Sequence, residues 1–303
     1  MSDIKAEIES RDVRMRVVPV KVLADIEKDI AHLREHEELN GFQKWIVNDA
    51  YVLKLPVPEP DFTAKSIVIT ATPSAMTFVQ AVFRHGNKTA SDLFDYPQSG
   101  AGDVVAETFA SRGYKLQYIH WFPQKRFAVR SGLSEYGRNN LAYTGGMGSF
   151  CGIATYKSDM PCGDYTWREV KNMTACDDCR LCLDNCPTGA IQSERFLLDN
   201  EKCLTKHNES GTAPFADWIP KTAHHSLIGC LRCQNICPKN QEVLSRITIA
   251  ETIEFSEEET GHLLAGTPIE NLPKTLADKV HLCWMHHYYA SIPRNLAAMF
   301  ENS

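Results

Sequence analysis

CDDCRLCLDNCP, from Cys176 to Pro187, places four cysteines at intervals of two, two and three residues and ends on a proline. Three thiolates so spaced can each bind one iron of a single cubane, while the fourth, displaced to the turn before Pro187, points toward a neighbouring cluster. A second run, CLRCQNICP from Cys230 to Pro238, repeats the Cys-Pro ending but lacks the third closely spaced cysteine. Cys203, upstream of it, completes the count. Two sets of four follow. Cys176, Cys179, Cys182 and Cys237 serve one [4Fe-4S] cluster, and Cys186, Cys203, Cys230 and Cys233 serve the other, so no cysteine of the framework is left over. Zinc ribbons, which use paired C-x2-C units, account for neither the third cysteine of the first run nor the two Cys-Pro endings.

The rest of the chain is ordinary by composition. Its 303 residues are 43% hydrophobic and 23% charged, with a formal charge of -6. That is enough chain for a sizeable core. No apolar run approaches the roughly eighteen residues of a spanning helix, so no membrane association is expected. The opening residues, MSDIKAEIESRDVRMR, are charged throughout and lack a secretory core, which implies a cytoplasmic location. The negative charge argues against a protein that works mainly by gripping phosphate backbones. Eleven cysteines in a reducing compartment indicate metal rather than disulfides. Cys151, Cys162 and Cys283 fall outside the framework and read as packed thiols.

Hydrophobic periodicity outlines four regions. Residues 1–60 read as a helical region, with Leu23, Ile26, Ile30 and Leu33 at helical spacing and an extended, proline-rich stretch from Tyr51 to Pro60. Residues 61–162 alternate helix and strand, as α/β domains do. Ser66–Thr72 is an apolar, β-branched strand, and Gly102 or Asp103 caps a helix that Gly113 ends. Tyr114–His120 is an alternating strand with Tyr114, Leu116, Tyr118 and His120 on one face. Pro123 starts a helix to about Ser131, and Phe150–Thr155 is a further strand. Residues 163–245 form the double-cluster, ferredoxin-like region with few strand signals. Residues 246–303 read as helical, opened by the capping-box pair Ser256 and Glu259.

The cluster region from Cys176 to Pro238, including the isolated Cys203-Leu204-Thr205, resembles the cluster domain of epoxyqueuosine reductases. The stretch from Pro123 to Arg138, PQKRFAVRSGLSEYGR, resembles the segment ahead of the clusters in that family and, more closely, in reductive dehalogenases. The resemblance implies an α/β (α+β) chain: a nitroreductase-like, corrinoid-binding domain, then a bacterial two-[4Fe-4S] ferredoxin-like domain, then C-terminal helices. It also implies cobalamin as a second cofactor, reduced by the clusters to the nucleophilic Co(I) state. Gly146, Gly148 and Ser149 lie on a glycine-rich loop that lets backbone approach a large planar ligand, and Arg138, Asn139 and Asn140 suit its amides or phosphate. An ordinary glycine turn with a solvated polar loop accounts for the same residues equally well.

Departures from the relatives matter as much. Epoxyqueuosine reductases carry an aspartate fourteen residues before the glycine matching Gly132, as the expected proton donor; here that position is Tyr118. Reductive dehalogenases use a tyrosine. Tyr118 is therefore the candidate general acid, with His120 as a second candidate or helper; an aromatic on an alternating strand also reads as core. The chain ends soon after the clusters, where epoxyqueuosine reductases commonly continue into helical repeats associated with tRNA, so the expectation is against tRNA. Two functions follow: a cobalamin-dependent reductase of a small molecule or modified nucleoside, fed by an external low-potential electron donor, or an electron-transfer or activating protein for a corrinoid or redox partner held elsewhere.

Overall fold

The computed structural model describes residues 2–51, 61–97 and 103–302. Tyr51 is the only residue of the expected extended stretch to Pro60 that it describes, and Gly102 lies outside the described residues. Nine strands are present among them: β1 (Arg14–Pro19), β2 (Ser66–Pro73), β3 (Thr77–His85), β4 (Lys88–Asp95), β5 (Leu116–Tyr118), β6 (Ser134–Tyr136), β7 (Ala142–Thr144), β8 (Cys151–Ser158) and β9 (Thr248–Phe255). Contacts gather the chain into two units. One draws on Met1–Ser74, Gly100–Arg180 and Pro238–Asn240, the other on Ala75–Ser99, Leu181–Cys237 and Gln241–Ser303.

The first unit is built on an antiparallel sheet of order β1-β2-β8-β5. β2 carries an apolar run because both of its faces are covered, with residues 66–71 all buried. On one side of this sheet Val68 and Tyr156 pack with Ile4 and Ile8 from the helix Ser2–Glu9 and with Val105 and Phe109 from the helix Val104–Ser111. Asp103 caps the latter by accepting from the amides of Val105 and Ala106. The helix Leu23–His36 buries Leu23, Ile26, Ile30 and Leu33, as its spacing requires.

Two findings differ from the sequence reading here. The N-terminal region is not purely helical, since it supplies edge strand β1. The strand expected over Tyr114–His120 is only three residues long, and His120 lies beyond its end.

A buried ion cluster ties this unit together. Asp29, on the helix Leu23–His36, accepts two hydrogen bonds of 2.6 Å from Arg130 and stands 3.3 Å from Arg126. Both arginines come from the helix Gln124–Arg130, and all three side chains are at most 15% exposed. The Arg130 guanidinium also lies over the Trp167 ring. Removing the carboxylate strands two buried cations, which costs more than the pair contributes. Asp29→Ala is expected to lower stability by about 3–5 kcal/mol, measured by anaerobic denaturant unfolding; a loss below about 1 kcal/mol would show the pair behaving as a surface contact.

The second unit carries the sheet β4-β3-β9, with β3–β4 antiparallel and β3–β9 parallel. The β3–β4 hairpin turns through Gly86-Asn87, where Gly86 has φ +55°. Val79, Ala81 and Phe83 alternate inward from β3, Ile253 and Phe255 from β9, and Phe83 stacks on Phe255 with ring centroids 4.6 Å apart. Leu263, Leu276, Val280, Leu296 and Phe300 from the C-terminal helices complete this core. Ser256 and Glu259 form the expected capping box. β9 corrects the reading of the chain beyond Pro238 as helical throughout: seven of its eight residues pair with β3, and Ala250 bulges out of the register.

Candidate functional site

The second unit brings together three of the four cysteines assigned to one cluster. Cys186 follows the short helix Leu181–Asp184. Burial pushes its thiol up, but the amides of Ile191, Thr188 and Ala190 and the Thr188 hydroxyl converge on it and hold it below the ordinary value. Cys230 lies within electrostatic reach of Cys186, and Cys203 within reach of Cys230. Burial pushes both of these thiols up, against amides that donate to them: Arg232 to Cys230, Thr205 and Lys206 to Cys203. Cys233 sits on the adjoining helix Arg232–Asn235.

All of these cysteines are half-buried and outside any disulfide. Among the described residues no three His, Cys, Asp or Glu side chains converge as they would on one metal ion. A cubane distributes its thiolates over separate irons, so a wider ring of sulfurs surrounded by N–H donors is the donor set it requires. The residues fit the group.

The scaffold under Cys230 is polar and was not foreseen. Gly229 and Leu231, on either side of it, have φ of +70° and +55°. Asn208 Nδ2 donates to the Gly229 and Ser226 carbonyls, and Asn295 Nδ2 donates to those of Asn208 and Leu227. The ring nitrogens of His225 lie 2.7 and 2.8 Å from the carbonyl oxygens of Ala223 and Cys230. Asp92, on β4, accepts from the Leu227 amide and the Ser226 hydroxyl; its burial pushes the carboxyl up to about 6. These partners lie as far as 135 residues apart, so no local pattern announces them. Asn185 Nδ2 donates to the Arg232 carbonyl and so joins the two cysteine runs.

The cysteines assigned to the other cluster divide between the units. Cys182 lies on the helix Leu181–Asp184 and Cys237 follows the helix Arg232–Asn235, both in the second unit. Cys176 closes the 3-10 turn Thr174–Cys176, and Cys179 follows in the same loop, both in the first unit. Arg138 reaches this loop: Nε donates to the Cys179 carbonyl at 3.0 Å, and Nη2 to the carbonyls of Cys176 at 2.5 Å and Asp177 at 3.2 Å.

The segment that presents Arg138 is tightly built. Tyr136 accepts from the Met173 amide at 2.7 Å, and the Gly137 amide donates to the Leu141 carbonyl at 2.8 Å. A Cβ at Gly137 would lie 2.5 Å from the Tyr143 ring and 2.7 Å from Asn139 Oδ1, so only glycine fits. Asn139 is buried, donating to the Tyr143 hydroxyl and accepting from the Leu141 amide. Asn140 has φ +60°, and its carbonyl accepts from Lys125.

The glycine loop is likewise engaged in part. A Cβ at Gly148 would meet Asn240 Oδ1 at 2.2 Å. Ser149 binds the same Asn240 twice, through its amide and its hydroxyl. Gly145 and Gly146 differ: an added Cβ there meets nothing within 4 Å, and Gly146 has φ +79°. That open stretch of backbone can accept the close approach of a large ligand.

Tyr118 and His120 meet edge to face with ring centroids 4.6 Å apart, although only Tyr118 lies on β5. Tyr118 is 42% exposed, which sets aside the core reading of this residue. Its hydroxyl accepts from Gln124 Nε2 at 3.0 Å, leaving the phenolic proton for another acceptor. Tyr156 packs against it on the sheet, its own hydroxyl pushed up to about 12 by burial, with Asp103 adding to the effect.

Comparison with known proteins agrees with the cysteine pattern. Residues 175–240 match the 4Fe-4S double cluster binding domain. The chain is 30% identical over 151 residues to the epoxyqueuosine reductase of Atelocyanobacterium thalassa, 46% of each chain. It is 29% identical over 118 residues to that of Cyclobacterium marinum, 39% of this chain and 37% of the relative. For that of Synechocystis sp. the figures are 26% over 182 residues, 57% and 55%. The matches thus span from about a third to just over half of the relatives' length. In fold, 99% of the chain superposes on the epoxyqueuosine reductase of Bacillus subtilis, solved with an aspartate-bearing catalytic loop swung out of the active site (TM-score 0.64, 18% identity, 81% of that chain). An epoxyqueuosine reductase solved with an epoxyqueuosine-modified tRNA stem loop gives 0.65 at 18% identity, covering 80% of that chain. The mixed α/β architecture is therefore shared with that family. No helix among the described residues is long and apolar enough to cross a membrane.

Proposed function

We propose that this relative of the epoxyqueuosine reductases is an iron–sulfur reductase whose two clusters deliver single electrons to a corrinoid held by the same chain. The observation that carries the reading is that Cys230 neighbours both Cys186 and Cys203 within a double-cluster domain, in a chain whose fold is that of the epoxyqueuosine reductases. A module of this kind moves electrons and needs an acceptor. When bound, cobalamin reduced to Co(I) supplies a nucleophile for reductive chemistry. The open backbone at Gly145 and Gly146 leaves room for its approach.

Tyr118 holds the proton for the substrate, with His120 against its ring. Its exposed hydroxyl, fixed by Gln124, suits a general acid. The substrate class is a small molecule or a modified nucleoside. An epoxyqueuosine reductase of the same fold has been solved with a tRNA stem loop, so the expectation against tRNA loses its force and a tRNA-borne nucleoside belongs in this class. The electron donor is an external low-potential carrier.

A second reading has its own support. Asn139, Gly148 and Ser149 are engaged inside the protein, and Arg138 on the cysteine loop, rather than facing a ligand. That favours an electron-transfer or activating protein whose corrinoid or redox partner sits on another polypeptide. Anaerobic reconstitution with iron, sulfide and cobalamin separates the two. Binding of a base-off corrinoid, seen in the visible spectrum, is expected; a chain that loads its clusters but binds none belongs to the second reading.

A further inference from the structure

Arg138 spends its hydrogen bonds on a cysteine loop, not on a carboxylate. Its guanidinium meets three carbonyls, those of Cys176, Asp177 and Cys179, and among the described residues it makes no ion pair. The loop thus wraps around a half-buried cation held by the tight segment from Tyr136 to Leu141. Carbonyl dipoles orient the guanidinium without neutralising it, and burial weakens solvent screening of its charge.

The two cysteines that flank this contact are assigned to one cluster. Gaining an electron makes a thiolate-ligated cluster more negative by one charge, so a fixed cation beside it favours the reduced form.

We propose that Arg138 is a positioning residue of the cluster bound by Cys176 and Cys179, shaping the loop through its carbonyls and raising that cluster's reduction potential through its charge. This rests on the reading that those two cysteines are cluster ligands. It separates Arg138 from the corrinoid role that its place in the sequence suggests, because Nε and Nη2 are committed to the loop.

The test is an EPR-monitored redox titration of the anaerobically reconstituted full chain, comparing the wild type with Arg138→Lys and Arg138→Gln. Cys176→Ala, which removes the ligand outright, identifies the signal of the cluster beside the loop. In Arg138→Gln that signal should shift to lower potential while the other stays in place, and Arg138→Lys should remain near the wild type. Unmoved potentials in a fully loaded Arg138→Gln overturn the proposal. Equal shifts in both variants also overturn it, because charge would then play no part. Where Arg138→Gln fails to load, Arg138→Lys decides: loading at the wild-type potential supports the charge role, and failure there too overturns it. An iron content unchanged by Cys176→Ala instead removes the ligand assignment underneath, before any potential is measured.

Discussion

Cys186→Ala is expected to remove the cluster assigned to Cys186, Cys203, Cys230 and Cys233 and to leave roughly half of the wild-type iron. Cys186 follows Cys182 by four residues, and its place before Pro187 directs it to the neighbouring cluster. The fold argues for the crossing. Cys186 sits under the amides of Thr188, Ala190 and Ile191 and within electrostatic reach of Cys230, and Asn185 beside it is bonded to the Arg232 carbonyl. The reduced protein's EPR spectrum should therefore lose the same signal in Cys186→Ala as in Cys203→Ala, and the opposite one in Cys176→Ala. If Cys186→Ala matches Cys176→Ala, the ligand sets are uncrossed. Either way, electron delivery should collapse, because a missing cluster breaks the relay.

Tyr118→Phe should leave cluster loading and corrinoid binding intact and lower turnover by about 10²–10⁴-fold, the usual contribution of a positioned general acid. The change deletes one exposed hydroxyl and keeps the ring packed on His120 and Tyr156, so the fold has little reason to respond. Tyr118→Asp supplies the residue type expected in the related reductases at this place and should retain more activity than Tyr118→Phe. An epoxyqueuosine-containing RNA stem loop and the free nucleoside are the first substrates for the assay. Wild-type turnover in Tyr118→Phe takes this residue out of the mechanism.

Most of what was legible in the sequence was local. Cysteine spacing, the four-residue apolar stripe of Leu23–His36, the unbroken run in β2 and the Ser256–Glu259 cap all act within a few residues of themselves. The hairpin β3–β4 and strand β9 were missed although part of their signal is present: Val79, Ala81 and Phe83 alternate, as do Ile253 and Phe255. β4 is polar at Lys88, Thr89, Ser91 and Asp92, and β9 carries an exposed Ile249 and, in register with Val79 on the face of Ile253 and Phe255, the charged Glu251, which blurs the period. These two strands lie on either side of β3, and a parallel partner such as β9 leaves no turn signal to find.

The site divides in the same way. Tyr118 and His120 were paired on a shared strand face; the structure pairs them by ring contact at the end of a shorter strand. Arg138 was singled out for a corrinoid's amides or phosphate; its partners in the fold are the carbonyls of Cys176, Asp177 and Cys179, about forty residues away. Asn208, His225 and Asn295 carried no signal at all, because supporting a loop through side-chain amides and imidazoles imposes no spacing on the sequence.

The central claim is that the clusters feed a corrinoid held by this chain, and cobalamin-loaded protein under anaerobic titration with a low-potential reductant tests it most directly. The Co(I) absorption should rise as electrons pass through the clusters in the wild type and be lost in Cys186→Ala that still binds cobalamin. Equal Co(I) formation in both proteins would contradict the account.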